Sequence, residues 1–244
     1  MKHSLRAGFT LIEVTIAVSL VALISLGLLM AMHTGFNAMQ KSQDHLMHDR
    51  RVVGVERVIE EQVAGLVPVI GKCSGDNPNI PGPKFTFFQG ETGTVRFVSA
   101  YSLREAGRGL PRIVEMKVIP GDGGVGVRLV LNERLYAGPF SVGILCAGMG
   151  PDMEGQQAPI YRPVEVGPGS FVLADKLAAC GFAFREPAHD GHPSRWLNHW
   201  SKDILPDAIQ IAMTPLVPDP SYVQLLPLTI PISVTRHPLM AYDP

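Results

Sequence analysis

The chain has 244 residues, 46% hydrophobic and 18% charged, which supplies apolar material for a domain of ordinary size and an anchor, and excludes a disordered chain. A formal net charge of -1 excludes the broad basic footprint of a protein that grips phosphate backbones, so no nucleic acid is expected as partner. The three cysteines, Cys73, Cys146 and Cys180, have no Cys-x-x-Cys spacing and form at most one pair.

Residues 9–32 form an apolar stretch whose single charge is Glu13. At about 1.5 Å per residue, a helix here reaches roughly 36 Å, enough for a bilayer core. Lys2, His3 and Arg6 precede it with no acid between them, so residues 1–8 are expected on the cytoplasmic side and the body outside. A lone carboxylate at the centre of a membrane helix costs about 2.5 to 3.5 kcal/mol on insertion scales, which makes Glu13 a site candidate in its own right.

The first proline is Pro68, and only Gly27, Gly35, Gly54 and Gly65 weaken the preceding stretch, so one helix is expected from Phe9 to about Leu66. Beyond Met32 it turns one-sided. Val52, Val55, Ile59, Val63 and Leu66 step by three or four, with Arg51, Glu56, Arg57, Glu60 and Glu61 between them. The expected organisation is therefore a membrane half (9–32), an amphipathic half (33–66) and a globular body (67–244).

The body reads as short strands between proline and glycine loops. They are expected at 85–89, 94–100, 113–119, 125–131, 140–145, 177–185, 208–213 and 222–235. The fold class is α+β, a long N-terminal helix packed on an antiparallel sheet. Gly121-Asp122-Gly123-Gly124 separates two of these runs as a hairpin turn would. Pro227 and Pro231 remove ladder donors from the same side of the last run, which places it at an edge or breaks it.

Candidate chemistry in the body is thin. Gly121-x-Gly123-x-x-Gly126 matches a dinucleotide fingerprint in form, but an alternating strand follows it where a phosphate-capping helix is required. Ser170, between Gly169 and Phe171, is not in a nucleophile elbow. His189, Asp190, His192 and His199 are the densest set of possible metal ligands, in a loop where such residues are usually solvated. Asp152 and Glu154 lack the spacing of a full calcium shell. No metal, cofactor or catalytic residue is expected. Trp196 and Trp200 read as packing anchors of the sheet. Cys146 and Cys180 both lie in apolar strand-like runs and Cys73 in a polar loop, which makes Cys146 and Cys180 the expected pair.

Gly8-Phe9-Thr10-Leu11-Ile12-Glu13-Val14, opening an apolar helix behind a basic stretch, closely resembles the type IV prepilin processing site. An ordinary secretory signal has a shorter apolar run of about 7 to 15 residues and is cut after it. The resemblance implies a cut between Gly8 and Phe9 by an aspartic prepilin peptidase, N-methylation of Phe9 and retention of the helix. A glycine suits the scissile position because it presents no side chain and interrupts helix. In that family the residue matching Glu13 pairs with the N-terminal amine of a neighbouring subunit. Opposite charges at about 4 Å attract by about 4 kcal/mol at an effective dielectric of 20, comparable to the cost of burial.

Trp196-Leu197-Asn198-His199-Trp200, then Leu205-Pro206-Asp207-Ala208-Ile209, resemble the tryptophan-rich turn and following strand of the J-type minor pseudopilin of type II secretion systems. Phe182-Ala183-Phe184-Arg185 and Phe88-Gln89-Gly90-Glu91 resemble its aromatic strand and its Phe-x-Gly turn. This likeness implies a pilin-like fold and a non-enzymatic subunit at the tip of a periplasmic filament, anchored in inner-membrane lipid. Its partners would be the prepilin peptidase and the other minor and major pseudopilins. A minor pilin of a type IV pilus or competence system is the neighbouring reading, and a membrane-anchored extracytoplasmic enzyme or binding protein a remote one.

Overall fold

The computed structural model describes residues 10–73, 82–152, 155–188, 193–218 and 226–234, without the side chains of Asp44, His45 and His48. Among the described residues one long helix, α1 (Leu11–Ala64), is followed by fourteen strands, one short α-helix and a single 3-10 turn at Asp122–Gly124. The strands before the short helix are β1 (Leu66–Val67), β2 (Ile70–Lys72), β3 (Lys84–Thr86), β4 (Gln89–Glu91), β5 (Thr94–Ser102), β6 (Gly107–Pro120) and β7 (Val127–Leu135). Then come α2 (Pro139–Gly143), β8 (Cys146–Pro151), β9 (Gln157–Tyr161), β10 (Phe171–Glu186), β11 (Arg195–Leu197), β12 (His199–Trp200), β13 (Ala208–Pro215) and β14 (Leu228–Pro231). The α+β architecture is the expected one. The chain divides into two compact units, residues 1–50 and 51–244, with the division inside α1.

In the first unit, α1 is continuous and apolar, and 33 residues from Leu11 to Gln43 are long and apolar enough to cross a membrane. In the second, the stripe reaches the core. Ile59, Val63 and Leu66 are buried with Phe97, Val114, Met116, Leu129 and Leu131 on one face of the sheet. The helix stops at Gly65, where a Cβ would lie 2.6 Å from Ser99 Oγ, and Gly65 O accepts from Ala100 N, so the chain passes directly into β1 beside β5.

The main sheet runs β12-β4-β5-β6-β7-β10-β13-β14, all neighbours antiparallel. β11 pairs with β10 and β12 with β4, so the single run 195–200 ties the two together and curls the sheet. The turn of the β4–β5 hairpin closes the gap, since Phe182 N donates to Thr92 O at 2.9 Å. At the other end β14 is the last strand among the described residues, in keeping with the expectation of an edge or a break. Ile232 N donates inward to Asp207 O, so by alternation Thr229 and Pro231 face outward, and Pro231 has no donor to offer.

The second face of the sheet carries a small flap. The β2–β3 and β8–β9 hairpins and α2 bury Val69, Phe85, Phe87, Val142 and Leu145 against Val98 and Ile113. Three expectations are corrected here. Residues 140–145, expected as a strand, contain α2: Gly138 at φ 97° turns the chain, Pro139 starts the helix, and Ser141 Oγ donates to Gly138 O. Residues 146–161, where no strand is expected, hold the β8–β9 hairpin. The expected strand 222–235 is short, Leu228–Pro231, and its ends at 222–225 and 235 lie outside the described residues.

Candidate processing and assembly site

Gly8 and Phe9 lie outside the described residues. The description begins at Thr10, and Thr10 is what starts the helix. Its carbonyl accepts from Glu13 N at 3.1 Å and Val14 N at 3.3 Å, and its Oγ1 accepts from Glu13 N at 3.4 Å. Thr10-Leu11-Ile12-Glu13 thus has the threonine half of a capping box, with the acid at the third helical position. Sequence reasoning overlooked Thr10 although the spacing carries the signal. The carboxylate of Glu13 is not covered by any other part of the described chain and sits in the first turn, where the positive end of the helix dipole favours an anion. Behind it the helix presents an unbroken apolar surface: Leu11, Ile12, Val18, Leu23, Leu29 and Met32 are all more than half exposed.

The body contains charges where a core is expected. On the flap side of the sheet Gln89, Arg96, Glu115 and Asn132 lie side by side across β4, β5, β6 and β7, and all four are buried. Arg96 Nε donates to Glu115 Oε1 at 2.7 Å, and its Nη1 donates to Gln89 Oε1 at 2.7 Å. Arg134 Nε approaches Glu115 Oε2 at 3.4 Å. The guanidinium carbon lies 5.8 Å from the centre of the Tyr161 ring, which the flap supplies, and burial raises the Tyr161 phenol well above its ordinary range. Asn132 Nδ2 donates to Glu165 O at 2.8 Å. On the helix side Glu133 collects Gln62 Nε2, Leu103 N and Ser102 Oγ, which ties α1 to the tip of the β5–β6 hairpin. Both arrangements position elements, and neither presents a nucleophile and base in an open cleft.

Trp200 and Gly90 are directly opposite in the β12–β4 pair. A Cβ on Gly90 would lie 2.8 Å from the Phe184 ring and from Trp200 Cβ, so the glycine makes room for two aromatic side chains. Trp200 is buried and its Nε1 donates to Ile204 O at 2.8 Å. Trp196 is corrected: it is 42% exposed under the Arg185 guanidinium at 5.8 Å, because its strand covers only the rim of the sheet.

The expected Cys146–Cys180 pair is also corrected. Cys73 is bonded to Cys146 with Cα atoms 5.4 Å apart, and Cys180 is free. The sheet explains this: Cys180 lies in β10 opposite Met213, whereas Cys73 directly follows β2 and Cys146 begins β8, both inside the same flap core. Burial pushes the Cys180 thiol up to about 12.

The remaining candidates have local roles. Asp152 accepts from Gln156 N and Ser201 Oγ, both at 2.8 Å. Ser170 Oγ accepts from Gly167 N and closes a turn. Gly121 to Gly126 form the β6–β7 hairpin connection, with Gly123, Gly124 and Gly126 at positive φ. His199 is half-buried opposite Glu91, and His189, Asp190, His192 and Glu154 lie outside the described residues. Among the described residues no three His, Cys, Asp or Glu side chains converge as a metal site.

No curated protein matches the chain. Residues 3–29 match the prokaryotic N-terminal methylation motif, whose pilin-like family is structural. An apolar helix with this motif at its start is a membrane anchor, and the chain carries the N-terminal signature of a type IV pilin-like precursor.

Proposed function

We propose that the chain is a structural subunit of a pilus-like filament, a minor pseudopilin at the tip of a type II secretion pseudopilus that aids assembly and export. The observation that carries this reading is the methylation motif on a capped apolar helix with one acid in its first turn. Cleavage separates Gly8 from Phe9, Phe9 is N-methylated, and residues 1–8 leave as a cytoplasmic leader. The span lies in the inner membrane with the body on the periplasmic side. Glu13 receives the amine of a neighbouring subunit, and the body selects partners without catalysis.

The assignment to the J type draws support from one contact. Two of the body motifs that carry the resemblance, the Phe-x-Gly run, whose Gly90 lies in β4, and the tryptophan-rich run at Trp200, pack on each other. Mass spectrometry of the membrane-extracted chain tests the reading, and the expected N-terminus is methylated Phe9. Replacing Gly8 by a bulky residue should leave a full-length, inserted precursor, and normal maturation of that variant would refute the processing step. Glu13→Gln should mature and insert yet impair incorporation into filaments.

A further inference from the structure

The flap carries a surface that the fold itself does not account for. Lys72 and Lys84 are directly opposite each other in the β2–β3 pair, an arrangement in which like charges repel. Neither has an acidic partner among the described residues. Lys72 Nζ sits 5.3 Å from the centre of the Phe140 ring. Phe140 and Ile144 are one turn apart on the outer side of α2, 62% and 70% exposed, and Arg162 Nε donates to Ile144 O at 3.1 Å. Two large apolar side chains are therefore exposed beside Lys72 and Arg162, with Lys84 across the strand pair from Lys72.

Rigidity is built in underneath. A Cβ on Gly143 would lie 2.1 Å from Lys72 O, so α2 rests on the β2 backbone with nothing between, and Cys73–Cys146 joins the residue after β2 to the first residue of β8, just beyond α2. A patch held this firmly loses little conformational entropy on docking. A cation pair with no acidic partner among the described residues, beside exposed aromatic and aliphatic groups, matches the make-up of a protein interface, in which apolar anchors bind and rim charges select.

We propose that Lys72, Lys84, Phe140, Ile144 and Arg162 form a docking surface for a partner protein that presents acidic side chains around a shallow apolar cleft. The two lysines set the sign of the partner, and Phe140 and Ile144 are the anchors. The inference adds a surface to the filament reading and fails separately from it, because maturation and insertion are scored in the same samples.

The test places a photo-crosslinking phenylalanine analogue at position 140 of the full-length chain in its own membranes, with position 217 as a control, since Val217 is 77% exposed elsewhere on the body. The expected result is an adduct, specific to position 140, with a different protein whose cross-linked peptide is acid-rich. In the Lys72→Glu/Lys84→Glu background that adduct should fall at least about tenfold, and lysine in place of the partner's acids should restore it. Unchanged amounts of inserted protein and an intact Cys73–Cys146 bond show that the variant folds. An adduct with a second copy, with lipid alone, with a protein indifferent to the charge reversal, or none at all would overturn the proposal.

Discussion

Removing one member of the buried Arg96–Glu115 pair should be far more damaging than removing both. Each side chain is 1% exposed, and their bond of 2.7 Å is the centre of the row that links β4 to β7. In Glu115→Leu the guanidinium keeps Gln89 and the Tyr161 ring but loses its only carboxylate among the described residues, and Arg134 loses its contact as well. Breaking a buried pair from one side costs about 3 to 5 kcal/mol, whereas replacing both members by apolar side chains of similar volume is often neutral or stabilising. The double variant Arg96→Met/Glu115→Leu should therefore recover most of the loss. Guanidinium titration of the full-length parent, both single variants and the double variant in detergent, followed by the fluorescence of buried Trp200, gives the four free energies of a double-mutant cycle. A single variant within about 1 kcal/mol of the parent, or a double variant as unstable as the single, would refute the reasoning.

Gly90→Ala should destabilise the body by about 1 to 3 kcal/mol through overpacking against Phe184 and Trp200, seen as a lower unfolding midpoint in the same titration. Non-reducing peptide mapping should find Cys73 joined to Cys146, across a separation of 73 residues, and Cys180 alkylated at pH 8 only after unfolding. Loss of that disulfide should cost about 4 kcal/mol on the chain-entropy account, measured as the shift between oxidised and reduced protein. Glu186 is held down to about 2 by its hydrogen bond from Lys202 and then by that from Arg195. Its folded value lies below its unfolded one, so its contribution is fully present above about pH 4.5 and disappears as the pH falls towards 2. Glu186→Gln should flatten acid unfolding in that window, and an unchanged acid limb would count against the pair.

The helix was legible because its signals are local. Proline is absent from the stretch, the apolar stripe of Ile59, Val63 and Leu66 has the right period, and α1 ends two residues from the expected stop. The main strands were legible for the same reason, and Pro227 and Pro231 marked a run that is the last strand among the described residues. What sequence could not supply was non-local. Cys180 resembles Cys146 in its neighbours, and only the pairing of β10 with β13 separates them. The run 140–145 has strand composition, yet Pro139 after a glycine at positive φ makes it a helix. At the candidate site, Glu13 announced itself by being a lone acid among apolar residues, whereas Thr10, a common residue in a short spacing, was read only as part of a motif.

The borders of the described sheet have a consequence for a protein tethered to a membrane. Confinement to a surface brings copies of the body to high local concentration, the condition in which an unpaired strand recruits another chain through its backbone. Here one margin is folded back through the 195–200 run, and the outward register of β14 offers Thr229 N–H beside a proline that has none. Backbone addition would add any chain regardless of sequence. With that route blunted, encounters between bodies are decided by side chains, so crowding on the membrane raises the rate of selective contacts without feeding an indiscriminate fibre.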